Sequence, residues 1–155
     1  MVKSSNSLQP SSKNTDTVER MWTVFLVDDD PGDLYLTERV VKNSPYVGTT
    51  VCVPSGKALF SELRARHFFY DQVGNPPCCL ILLDIHMPDE DGISLLNQLK
   101  NNPYTENIPI VMLTGDCHTN NIERTYYLHA DSYLLKPMND DHLGHINSIL
   151  KRAQH

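Results

Sequence analysis

From Met21 onward, short apolar runs alternate with stretches whose apolar residues recur at three- and four-residue spacing. The run "MWTVFLV" (21–27) predicts a strand, and Leu34, Leu36, Val40 and Val41 predict a helix over about 31–43. "GTTVCVPS" (48–55) predicts a second strand, with Leu59 and Leu63 four apart on the helix after it. "CCLILLD" (78–84) is unbroken by polar residues until its end, the signature of a strand covered on both faces. Ile93, Leu95, Leu96 and Leu99 then mark a third helix. "IPIVMLT" (108–114) is a fourth strand, followed by a helix near 119–129, and "SYLLK" (132–136) a fifth. Leu143, Ile146, Ile149 and Leu150 give a last helical stripe.

Five strands, each followed by a helix, imply a doubly wound α/β domain with a parallel sheet. At this chain length the expected strand order is 2-1-3-4-5, the flavodoxin-like arrangement. The Ser-, Asn- and Thr-rich segment 1–20 reads as a disordered lead-in, which leaves 21–155 as one folded domain. "FFYDQVGNPP" (68–77) is long for a helix-to-strand turn, so its aromatics either fold back on the core or form a partner surface.

The strands share a second pattern: four of them end in a polar residue. The first ends at Asp28 and Asp29, the third at Asp84, the fourth at Thr114 and the fifth at Lys136. The carboxyl edge of an open α/β sheet is its ligand-binding edge, and strands one and three flank the switch in strand order. Asp30, before Pro31, Gly32 and Asp33, is accounted for as a helix N-cap, and Asp33 as a first-turn acid. Asp28, Asp29 and Asp84 would crowd negative charge into an apolar-walled cleft, which favours a cation or a raised pKa. All-oxygen ligands at an open site suit Mg²⁺. Lys136 adds a fixed positive charge and Thr114 a hydroxyl able to donate to a phosphoryl oxygen. The set fits phosphoryl transfer with Asp84 as nucleophile.

Composition narrows the partners. The 155-residue chain has a formal net charge of −6, which argues against a sequence-independent grip on nucleic acid and against an anionic membrane surface. No apolar run reaches the length of a membrane span or a secretory signal. Cys52, Cys78, Cys79 and Cys117 form no C-x-x-C, and their strand-like surroundings suggest small buried hydrophobes in a reducing cytoplasm.

"LVDDD", "LILLDIHMPDEDG", "IVMLTG" and "YLLKP", in this order and spacing, resemble the receiver domain of two-component response regulators, a likeness spanning about 22–152. The resemblance implies that Asp84 accepts phosphate from a histidine kinase or phosphotransfer protein. It implies that Asp29 and Asp84 ligate Mg²⁺ directly, Asp28 through water, and that the backbone carbonyl of His86 completes the protein ligands. Thr114 and Lys136 would contact the phosphoryl group, and Tyr133 falls where the family carries its switch aromatic. The Lys136–Pro137 bond would be cis. A downstream protein target is the expected reader of the signal, and the last helix and strand offer a surface for a homodimer. "LLDIHMPDEDGISLLNQLKNNPYTENIPIVMLT" is similar to the small regulators paired with phytochrome-type kinases. His129 replaces a usual glycine and predicts a strained turn. The 19 residues after Lys136 suffice for one helix, so the expectation is a stand-alone receiver that is not an enzyme.

By position, His86 and Asp116 could tune access of water to the phosphate. His142 and His145, three apart, could suggest a metal, but a solvated helix start capped by Asn139 explains them better. Two rivals remain. One is a Mg²⁺-dependent phosphohydrolase of the haloacid dehalogenase type, with Asp28 and Asp30 as its D-x-D. The other is a pseudo-receiver that only binds partners.

Overall fold

The computed structural model describes residues 21–68, 78–115 and 129–153. The lead-in 1–20, most of the 68–77 segment, all but the last residue of the helix predicted near 119–129, Asp116 and Cys117 lie outside the described residues. In chain order the elements are β1 (Trp22–Val27), α1 (Pro31–Val41), β2 (Val47–Val53), α2 (Gly56–Ala65), β3 (Cys79–Asp84), β4 (His86–Met87), β5 (Glu90–Asp91), α3 (Gly92–Lys100), β6 (Ile110–Thr114), β7 (Ser132–Leu135) and α4 (Asp140–Ala153).

The main sheet is parallel, in the order β2-β1-β3-β6-β7. Counting only its five strands, this is the expected 2-1-3-4-5. The β4–β5 pair is a separate antiparallel hairpin that the periodicity did not predict, because two-residue strands carry no period.

Alternation along the central strands divides the interior in two. Phe25, Val27, Ile81, Leu83, Ile110 and Met112 face one core, closed by Leu59 and Leu63 of α2 and Leu95, Leu96 and Leu99 of α3. Val24, Leu26, Leu80, Leu82, Val111 and Leu113 face the other, closed by Val41 of α1 and Ile146, Ile149 and Leu150 of α4. Every residue of β3 is buried, which is why its sequence shows no alternation of polar and apolar positions. Trp22 is buried at the amino-terminal end of β1, 3% exposed. Phe68, first of the unusual segment, does fold back on the core: its ring meets Phe25 edge-to-face at 5.8 Å and 88°.

Helix ends follow local chemistry. Asp30 caps α1, its Oδ1 accepting from the N–H groups of Gly32 (2.8 Å) and Asp33 (3.2 Å). Ser55 caps α2 and Asp91 caps α3. At α4, Asn139 Oδ1 accepts from His142 N at 3.0 Å while Asn139 N donates to His142 Nδ1 at 3.3 Å, a reciprocal cap. α2 ends in a Schellman turn: Phe68 N donates to Leu63 O and His67 N to Arg64 O, with His67 in the left-handed region at φ 66°. His129 is left-handed too, at φ 69°, as its replacement of a glycine led one to expect.

Two expectations need correction. Leu36 is not a core residue of α1 but 47% exposed; the helix buries Thr37 and Val41 instead. Cys52 is not a buried hydrophobe either, since its side chain leaves the edge strand β2 on the outward side, with Sγ 3.3 Å from Glu38 Oε2. Partial burial and that carboxylate push its thiol up to about 11. Cys79 does lie in the core, and burial raises its thiol further.

Candidate functional site

β1 and β3 are neighbours in the sheet, so their carboxyl ends deliver Asp28 and Asp84 to one place from positions 56 residues apart. Asp28 N donates to Val53 O at 3.1 Å, which prolongs the β1–β2 ladder and fixes that backbone. Ile85 N donates to Leu113 O at 2.9 Å and does the same on the β3–β6 side. Carboxylate oxygens of Asp28, Asp29 and Asp84 lie within 4.8 Å of one another. Asp28 and Asp84 are buried and Asp29 is exposed, so the cluster opens to solvent on one side.

Lys136, just past β7, closes the cluster. Its backbone N donates to Thr114 O at 2.7 Å, and the Lys136–Pro137 bond is cis. Its ammonium stands 2.6 Å from Asp28 Oδ2, 3.1 Å from Asp84 Oδ1 and 3.0 Å from Asp33 Oδ2. Asp28 also uses Oδ1 to accept from Asp30 N at 3.0 Å. Asp33 is the member that sequence reasoning missed. By sequence it is a first-turn helix acid, and only the tertiary approach of Lys136 to α1 makes it a lysine partner.

Four carboxylates against one ammonium leave three negative charges in excess at this edge. Near a protein surface two unit charges about 4 Å apart interact by roughly 4 kcal/mol, so the imbalance is substantial. Burial pushes the Asp84 carboxyl up; the Lys136 charge opposes that, Asp28 reinforces it, and a backbone hydrogen bond from His86 opposes it again. Burial also works against the charge on Lys136, but Asp28, Asp33 and Asp84 together hold its ammonium well above the ordinary lysine range. Lys136 is therefore a permanent cation, and the acids want another. An all-oxygen set open on one side fits a hard divalent ion such as Mg²⁺.

The segment after Asp84 is tightly held. His86 pairs with Asp91 and Met87 with Glu90, and Gly92 N donates back to Ile85 O at 3.0 Å. A Cβ on Gly92 would overlap the Asp84 carbonyl oxygen and stand 2.8 Å from Ile85 Cα. Glu90 Oε2 accepts from Gly56 N at 2.7 Å, tying the hairpin to the first turn of α2.

Thr114, wholly buried, ends β6 one residue beyond Leu113, the register partner of Asp84. His86 exposes its side chain at the start of β4. Tyr133 lies opposite Met112 and is partly buried against the α2–α3 side of the core. Asp30 is spent on capping α1, which disfavours a D-x-D built from Asp28 and Asp30. His142 and His145 share no site, since His145 Nε2 is 2.7 Å from Ser132 Oγ while His142 serves the cap.

Known proteins are similar to this chain in sequence and fold. Residues 24–147 match the family model of the response regulator receiver domain. Response regulator Rcp1 of Synechocystis sp. is 31% identical over 116 residues, 75% of this chain and 77% of that protein. Among solved structures, the Mn²⁺-bound form of Rcp1 aligns at a TM-score of 0.63 with 29% identity, over 83% of this chain and 91% of that one. The phosphorylated cyanobacterial phytochrome response regulator RcpA aligns at 0.62 with 28% identity, over 86% and 91%.

Proposed function

The chain belongs to the response regulator receiver domain family, and from that premise we propose that it accepts a phosphoryl group on Asp84 in a Mg²⁺-dependent phosphorelay. The observation that carries this reading is the meeting of Asp28, Asp84 and the Lys136 ammonium at the carboxyl edge, at 2.6 and 3.1 Å. The donor is a phosphohistidine of a kinase or phosphotransfer protein. An oxygen of Asp84 attacks phosphorus; the new P–O bond forms as the P–N bond breaks, and the histidine nitrogen leaves with the electron pair.

Asp84 is a carboxylate kept from full solvation, which favours it as an attacking oxygen. Asp28, Asp29 and Asp84, with the backbone carbonyl of His86, are the groups suited to hold Mg²⁺. When bound, that ion supplies positive charge against the phosphoryl oxygens. Lys136 is already positioned to meet a phosphoryl oxygen, and the Thr114 hydroxyl is the neighbouring donor. Tyr133 is the residue whose inward turn would carry the change to the surface. The output is a shift between two conformations, read by a protein partner in the cytoplasm. Among the described residues no helix is long and apolar enough to cross a membrane.

The test is incubation with Mg²⁺ and a small phosphodonor, followed by intact mass. The wild type should gain one base-labile phosphate and Asp84→Asn none. Steady turnover of the donor's phosphate would point to a phosphohydrolase, and an unmodified wild type would point to a pseudo-receiver. Either result overturns the reading.

A further inference from the structure

The β4–β5 hairpin begins two residues after Asp84, at His86, whose backbone carbonyl is among the groups suited to hold Mg²⁺. The stretch Ile85 to Asp91 lines an open hollow of about 530 Å³, so solvent replaces packing on one side of it. On the other side Met87 is buried in the core. Its strand partner Glu90 reaches across to α2 instead, where Oε2 accepts from Gly56 N at 2.7 Å. Gly56 opens α2, and its N–H is one of the donors that a helix leaves without an internal partner. Ser55 serves a different donor, Ala58 N at 3.1 Å, so Glu90 completes the cap from outside the helix. The helix dipole favours a carboxylate there as well. Both ends of the contact are fitted to each other. A Cβ on Gly56 would overlap Glu90 Oε1 and stand 2.8 Å from Leu95 Cδ1, so only glycine lets the carboxylate come this close.

We propose that Glu90 is a positioning residue for the divalent ion: fastened to α2, it holds the hairpin in place and with it the His86 carbonyl beside Asp84. This rests on the receiver reading above. Glu90 pairs with Met87 and Asp91 with His86, and Gly92 N closes the base of the hairpin on Ile85 O at 3.0 Å. Movement of Glu90 is therefore passed to His86 through paired backbone. Groups that orient metal ligands without touching the metal are worth about tenfold or more in affinity when removed.

The experiment is calorimetric titration of the full chain with Mg²⁺, well below the unfolding temperature, on wild type, Glu90→Gln and Glu90→Ala. The amide of Glu90→Gln keeps an oxygen for Gly56 N and gives up the charge. It should bind within about twofold of wild type, the effect of one partly exposed, screened charge. Glu90→Ala loses the acceptor altogether and should bind about tenfold more weakly. If Glu90→Ala binds Mg²⁺ like wild type, even while melting at a lower temperature, Glu90 is a helix cap only and the proposal is overturned. Equal weakening in Glu90→Gln and Glu90→Ala overturns it too, because charge and not the tie to Gly56 would then be at work. A folded wild type that binds no Mg²⁺ overturns the receiver reading itself, a failure distinct from either.

Discussion

Asp84 shows how a functional residue works against the fold that carries it. Its carboxyl is pushed up by burial and by Asp28 more than Lys136 and His86 can offset, so folding favours the protonated form. For a group raised in this way, stability is fully present below the unfolded carboxylate pKa of about 4 and is lost as pH rises through the folded value. At neutral pH the ionised side chain is therefore a cost. Asp84→Asn should unfold at a higher temperature than wild type at pH 7 in metal-free buffer, and the gap should close as pH falls toward 4; thermal melts across that range check it. The neighbouring acids also show what a sequence reveals. Asp30 was legible as a cap because Pro31 and the first helical turn are local to it. Asp33 was not, because its lysine lies 103 residues away and nothing nearby announces the contact.

Elements read well from the chain where burial is periodic and poorly where it is not. The five strands appear at their expected places because each clusters apolar and β-branched or aromatic residues, and the four described helices because their apolar residues recur every three or four. The β4–β5 hairpin escaped notice for want of length, and the outward turn of Leu36 because α1 leans on Thr37 and Val41 instead. Glycines and left-handed residues mark where elements join. Gly92→Ala would drive a methyl into the backbone of Asp84 and Ile85, atoms that cannot move without shifting the site. Destabilisation of about 1–3 kcal/mol is expected, with weakened Mg²⁺ binding in the protein that still folds, measured by denaturant titration and calorimetry. His67→Gly acts in the opposite sense. Removing the side chain at φ 66° should stabilise the α2 Schellman turn by about 1 kcal/mol in urea unfolding.

At the scale of the whole molecule, two apolar layers grip the sheet and bring its carboxyl edge to a fixed geometry in which negative charge exceeds positive. A divalent ion that binds only this assembled edge must stabilise the fold. At ten times its dissociation constant the gain is about 1.4 kcal/mol. Mg²⁺ should accordingly raise the unfolding midpoint of the wild type by a few degrees, and that of Asp84→Asn by less, in parallel melts with and without chelator. The core is as well suited to reporting as to holding. The single tryptophan, Trp22, sits sealed at the opposite end of β1 from Asp28, about 20 Å away at the usual rise of a strand. Its fluorescence is thus a private gauge of folding, dark to whatever docks at the acidic rim, so one optical trace can follow melting while a second probe counts occupancy.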